Sequence, residues 1–258
     1  MSEKSFIRVG AASGLVALVF GGVGGALERG WPSATDPGAV ADFVSAHRVA
    51  ILAQSMAFLL SAALIICFFS GLRSFVARSE GESEPACNAM FGASLVWASL
   101  QMIAQSFQVG VAMAPAGGAP SVLLWFMSAA FSISNLPLAI ALSVFAAIAR
   151  QGSFPSWLWW ISAAAACAEF LLFVGTVLES GPLGPNGWLT YTLYPVFLVW
   201  LVPTAVIVLK RTGGTFGAGT TGDRRGGGTD MTIRSMVSGN AVAQTLLSQL
   251  RTSARRSS

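Results

Sequence analysis

One carboxylate, Glu169, lies deep inside an apolar run that carries no other charge. A charge at the centre of a bilayer costs roughly 2.5–3.5 kcal/mol on insertion scales, so such an acid must be neutral, paired or hydrated. No Lys or Arg lies within any apolar run of the chain. The expected resting state is therefore a neutral acid hydrogen-bonded to Gln101 or Asn135. Proton relay, cation binding and substrate binding are the chemistries open to it, and a structural hydrogen-bonded acid is the alternative.

Other polar residues recur at intervals of seven: His47, Gln54 and Ser61; Ser94, Gln101 and Gln108; Ser121, Ser128 and Asn135; Ser162, Glu169 and Thr176. Positions seven apart drift only about 20° around a helix, so each set marks one stripe, suited to face neighbours in a left-handed bundle. Gln105 and Ser132 widen two of the stripes. Pro137 frees the carbonyl of Ile133 beside Asn135 for another partner. Counting along alternating helices puts Gln101, Asn135 and Glu169 near mid-membrane and Gln54, Gln105, Gln108, Ser128 and Ser132 in the outer half. The expectation is a polar pocket that opens outward and is floored near Glu169. The alternative is an interhelical hydrogen-bond network with no cavity, each bond contributing about 0.6 kcal/mol.

Catalytic and cofactor chemistry finds no support. His47 is the sole histidine, which rules out bis-histidine haem ligation, and no His, Cys and carboxylate set converges as zinc requires. Cys67, Cys87 and Cys167 form no CxxC pair and read as small apolar fillers. Ser94 falls in the inner half and His47 at the outer edge, so a Ser/His dyad cannot close. No phosphate-binding glycine motif appears among the 28 glycines. The expectation is a non-enzyme without a cofactor or metal.

The elements that must position these residues are six apolar runs. The composition, 54% hydrophobic and 10% charged, departs far from the roughly 25% charged of a soluble domain. A spanning helix needs about 20 apolar residues, and the intervals between charges yield spans at about 9–27, 49–72, 86–113, 121–149, 157–178 and 188–209. The runs are too long and too continuous for a β-barrel. The fold expected is all-α: a polytopic bundle of six transmembrane helices over residues 1–211. With the N-terminus inside, thirteen of the 15 Lys and Arg fall on the cytoplasmic side and only Arg29 and Arg48 outside, which predicts both termini in the cytoplasm. Trp31, Trp125, Trp157 and Trp188 near the span ends agree with that placement.

Lys4 and Arg8 precede the first span in the manner of a secretory signal, but its length favours an uncleaved anchor. Gly10, Gly14, Gly21 and Gly25, with Ala17 between, form two small-xxx-small pairs on one face, expected to pack closely inside the bundle, with homodimerisation the lesser option. Asp36 and Pro37 mark a helix start. The helix that begins there is either a lid on the outer surface or an extension of span two. Residues 212–258 read as a Gly/Thr/Arg-rich cytoplasmic tail, largely disordered, with a short basic helix at 240–251 as an alternative to a frayed end. That tail suits an anionic inner leaflet. It holds no aromatic residue among its basic positions to stack on bases, so no nucleic-acid partner is expected.

A basic N-terminal flank, an outer Asp-Pro helix ending in Ala46-His47-Arg48, a second span ending in Gly71-Leu72-Arg73, and Arg150 leading through Pro155-Ser156-Trp157-Leu158 into span five together resemble six-span bacterial membrane proteins of unknown function. The resemblance covers roughly residues 5–211 and implies no catalytic residue. The excess of Arg over Lys, with abundant Ala and Gly, fits a bacterial source. The reading is an integral protein of the bacterial plasma membrane, with the lipid bilayer as its partner. Its role is either permease-like or proton-linked handling of a small solute, or a sensory, scaffold or accessory subunit. No inverted repeat between the halves supports transport.

Overall fold

The computed structural model describes residues 2–27, 30–33, 35–79, 84–114, 120–152, 154–176, 178, 182 and 188–213. They belong to one compact unit, Met1–Phe216. Of the tail expected over 212–258, Thr212 and Gly213 end the last helix, and the rest, with its helix at 240–251, lies outside the described residues, as do Arg29, Glu80 and Glu82.

Six helices make up the described chain: α1 Glu3–Leu27, α2 Pro37–Ser79, α3 Glu84–Met113, α4 Pro120–Gln151, α5 Ser156–Gly175 and α6 Trp188–Gly213. All six are long and apolar enough to cross a membrane, and the protein is an all-α, multi-pass membrane bundle by that measure. Helices are what such runs must form, because in hydrocarbon every backbone N–H and C=O needs a partner within its own segment. Several hydroxyls inside the runs are satisfied the same way. Ser99, Ser106, Ser162 and Thr204 each donate to the carbonyl four residues back.

The outer segment takes the second of its two expected forms, an extension of span two, and the end of span five differs from the sequence reading. The outer segment is no separate lid: α2 runs unbroken for 43 residues, about 65 Å at 1.5 Å per residue, well beyond the bilayer core. Its start is the expected one, with Asp36 Oδ1 accepting the Ala39 N–H at 3.0 Å and Pro37 at the first helical position. At the other boundary, α5 stops at Gly175 rather than near 178, where the Thr176 N–H bonds back to Phe173 and Val174.

Each helix packs on its sequence neighbour, and α6 closes the set onto α1; among the described residues α3 and α5 do not touch. One end of the bundle gathers Lys4, Arg8, Arg73, Arg78, Arg150, Lys210 and Arg211, with Arg78 paired to Glu3 at 2.9 Å. Against this basic end lies an apolar cluster drawn from all six helices. Its centre is Trp200, fully buried, whose ring meets Phe68, Phe69, Phe145 and Phe197 at centroid distances of 5.4–6.0 Å. The far end has a smaller cluster, whose buried members among the described residues come from α2, α3 and α4.

The α1–α2 contact depends on missing side chains. A Cβ on Gly10 would lie 2.7 Å from the Gly71 Cα, one on Gly14 would lie 2.6 Å from the Phe68 ring, and one on Gly24 would lie 2.8 Å from Phe58. Gly21 faces Ser61, but Gly25 faces open space. The packing face therefore runs through Gly24 rather than Gly25, because a contact between two coiled helices repeats near 3.5 residues and not every four. Ser13 and Ser61 add bonds across it to the carbonyls of Leu64 and Ala17, at 3.0 and 2.9 Å.

Candidate functional site

Between the two apolar clusters lies a layer of buried polar side chains: Gln54 and Ser55 on α2, Gln105 and Gln108 on α3, Ser134 and Asn135 on α4, and Glu169 on α5. Antiparallel packing spreads them along the middle of the bundle, with Gln54 beside Gln108 and, about 10 Å further along α3, Ser134 beside Gln101. On α2 and α3 the register is marked by Arg48 against Met113, Gln54 against Gln108 and Arg73 against Asn88.

Part of the layer is a brace. Gln108 Nε2 donates to Gln54 Oε1 at 2.8 Å, tying α3 to α2. Gln101 Nε2 donates to Ser134 Oγ at 3.0 Å, tying α3 to α4, and the Ser134 hydroxyl in turn donates to the Phe131 carbonyl. Gln101 therefore does not serve Glu169, from whose helix α3 is separated.

The remainder makes no bonds among the described residues. Glu169 is 3% exposed, and its carboxyl has no hydrogen-bond or ion-pair partner among them, so the expected bond to Gln101 or Asn135 is not formed. Asn135, next to Ser134, is buried without a bond to any described residue. Both amide atoms of Gln105 and the Ser55 hydroxyl are fully enclosed and unpartnered. Helices α4 and α6, the two that pack on α5, carry no Asp, Glu, Lys, Arg or His between their ends. Burying an amide or carboxyl without a partner costs roughly 1–3 kcal/mol or more, so these groups do not serve stability.

Two stripe positions leave the site. Ser128 points to the outside of the bundle, and Ser132 is half-buried. Ser128 shares the stripe of the buried Asn135 two turns away along α4, so its position along the helix, not its face, leaves it outside. Ser94 and Ser162, though buried, bond their own helices. Sequence reasoning passed over Ser55 and Ser134, since hydroxyls in apolar runs are common and only their neighbours distinguish these two. Cys87 is buried, whereas Cys67 and Cys167 lie on the outer surface and fill no core.

No group of three or more potential metal ligands occurs among the described residues. At the far end an open groove of about 480 Å³ is lined by Leu27 and by α2 from Ser45 to Ala50 with Ala53. It lies apart from the polar layer. No family model, curated protein or solved structure matches the chain.

Proposed function

We propose that the protein is a permease-like carrier or proton-linked transporter of a small solute in a bacterial plasma membrane, non-enzymatic, with both termini cytoplasmic. The observation that carries this reading is the division of the polar layer. Gln54, Gln108, Gln101 and Ser134 bond one another as braces do, whereas Glu169, Asn135 and Gln105 are buried in the same layer without bonds to any described residue. Interhelical braces stabilise only when their bonds are made, so the unbonded groups are better explained by something they bind in turnover. The unequal ends support an outward-facing entry. The basic end is closed by an apolar cluster from all six helices, and among the described residues the far-end cluster draws on three.

Glu169→Gln preserves shape and hydrogen-bonding capacity but cannot exchange a proton. In proteoliposomes, the variant is expected to lose proton-linked flux while melting at or above the wild-type temperature. Full complementation of a deletion strain by Glu169→Gln, from mildly acidic to mildly alkaline medium, would remove the proton step and favour the accessory-subunit reading. The orientation rests on the distribution of Lys and Arg. A reporter active only in the periplasm is expected to be silent when fused after Ser258 and active when inserted at Gly117; the opposite pattern inverts the topology.

A further inference from the structure

The geometry points to a binding site for a small neutral carboxamide or urea-type solute, anchored by the unpaired amide of Gln105 between the two bonded amides of α3. This deepens the reading of the layer as a solute site and rests on it.

Three glutamines, Gln101, Gln105 and Gln108, succeed one another on the inner face of α3 at intervals of four and three residues. The first is spent on α4 and the third on α2. Gln105, between them, is 1% exposed and bonds nothing with either its NH₂ or its carbonyl. The register that sets Arg48 beside Met113 and Gln54 beside Gln108 carries Ser55 to the level of Gln105, and its hydroxyl is also enclosed and unpartnered. A primary amide with both ends open is complementary to a second amide. The layer already contains that pairing, in the Gln108 N–H donated to the Gln54 carbonyl at 2.8 Å.

Charge argues for a neutral solute. No Lys or Arg lies within the spans to hold an anion. At Gln105 itself a cation would find one carbonyl beside a competing NH₂, whereas a carboxamide satisfies both and leaves the Ser55 hydroxyl a further donor or acceptor. Shape argues for a small solute, because the amide atoms are enclosed in the described conformation and the helices must part to admit anything. The far end, where the apolar cluster of described residues draws on α2, α3 and α4, is where parting breaks least of the described packing.

The experiment uses the full chain in proteoliposomes with radiolabelled acetamide as the probe. Gln105→Met, which keeps the length of the side chain and removes its amide, is compared with wild type, and Gln105→Leu serves as a second apolar replacement. Uptake by wild type above protein-free vesicles is expected, falling about tenfold in both variants, the worth of one neutral hydrogen-bond pair. Without solute, Gln105→Met is expected to melt roughly 2–4 °C higher than wild type, as loss of an unpaired buried amide should allow. Uptake indifferent to both variants, no uptake above protein-free vesicles, or a lower melting temperature for both variants would each overturn the inference. If Glu169→Gln abolishes proton-linked flux while acetamide uptake ignores Gln105, the inference falls and the proton reading stands. If uptake depends on Gln105 and Glu169→Gln is inert, the solute site stands without the proton step.

Discussion

Trp200→Ala is expected to be the most destabilising single substitution in the bundle, by about 3–5 kcal/mol, the range for removing a fully buried aromatic side chain. Trp200 has no exposed surface, and its ring makes four aromatic contacts drawn from α2, α4 and α6, stacked on Phe69 and Phe197 and edge-on to Phe68 and Phe145. Each such pair contributes about 0.5–1.5 kcal/mol beyond simple contact. In lipid no hydrophobic force drives helices together, so the loss registers as van der Waals contact and a cavity where six helices meet. Trp200→Phe keeps most of the stacking and deletes an indole N–H that has no partner, so it should be the milder change by at least half. Thermal melting in detergent checks both. A Trp200→Ala protein that melts with the wild type would show that the aromatic cluster does not hold the basic end together.

The second large effect is at the α1–α2 crossing. Gly10→Val is expected to cost about 3 kcal/mol or more, because overpacking a filled contact already costs 1–3 kcal/mol when the neighbours can yield. Here they cannot. The new Cβ would lie 2.7 Å from the Gly71 Cα and 2.9 Å from the Cys67 carbonyl oxygen, both backbone atoms, so the two helices must separate along the whole contact. Gly25→Ala is the control: its Cβ meets nothing within 4 Å, and the gain in helix propensity of about 1 kcal/mol should leave the protein as stable or more so. Sequence spacing alone ranks Gly10 and Gly25 as equals. Equal melting temperatures for Gly10→Val and Gly25→Ala would mean that α1 is held by something other than this face.

How much of the site could be read from the chain varies by residue type. Glu169 stands out in any inspection, since a carboxylate in an apolar run has no other explanation on composition, and burial on α5 is where the structure puts it. The glutamines of α3 and Asn135 are legible for a weaker version of the same reason. Their partners are not. Whether Gln101 reaches Glu169 or Ser134 depends on which helices are neighbours, and seven-residue spacing describes one helix without reference to any other. The same limitation put Ser128 in the site: a stripe marks a face of α4, and only the neighbouring helices decide how far along it that face stays covered, as it is at Asn135 and is not at Ser128.

The six membrane-capable helices, the starting cap at Asp36 and the absence of charge around Glu169 are determined by the sequence alone, because they arise from local rules: the length of an apolar run, the capping chemistry of one side chain and the cost of a charge in hydrocarbon. The order of helices around the bundle, the aromatic closure at the basic end and the division of the polar layer into bonded and unbonded groups were decided by tertiary structure. Lipid satisfies an apolar face as well as another helix does, so an apolar sequence states that a helix forms without stating what it packs against. Gln105 shows the difference most plainly. Its two neighbours on the same face of α3 have identical side chains and find partners, and only the positions of α2 and α4 leave it without one.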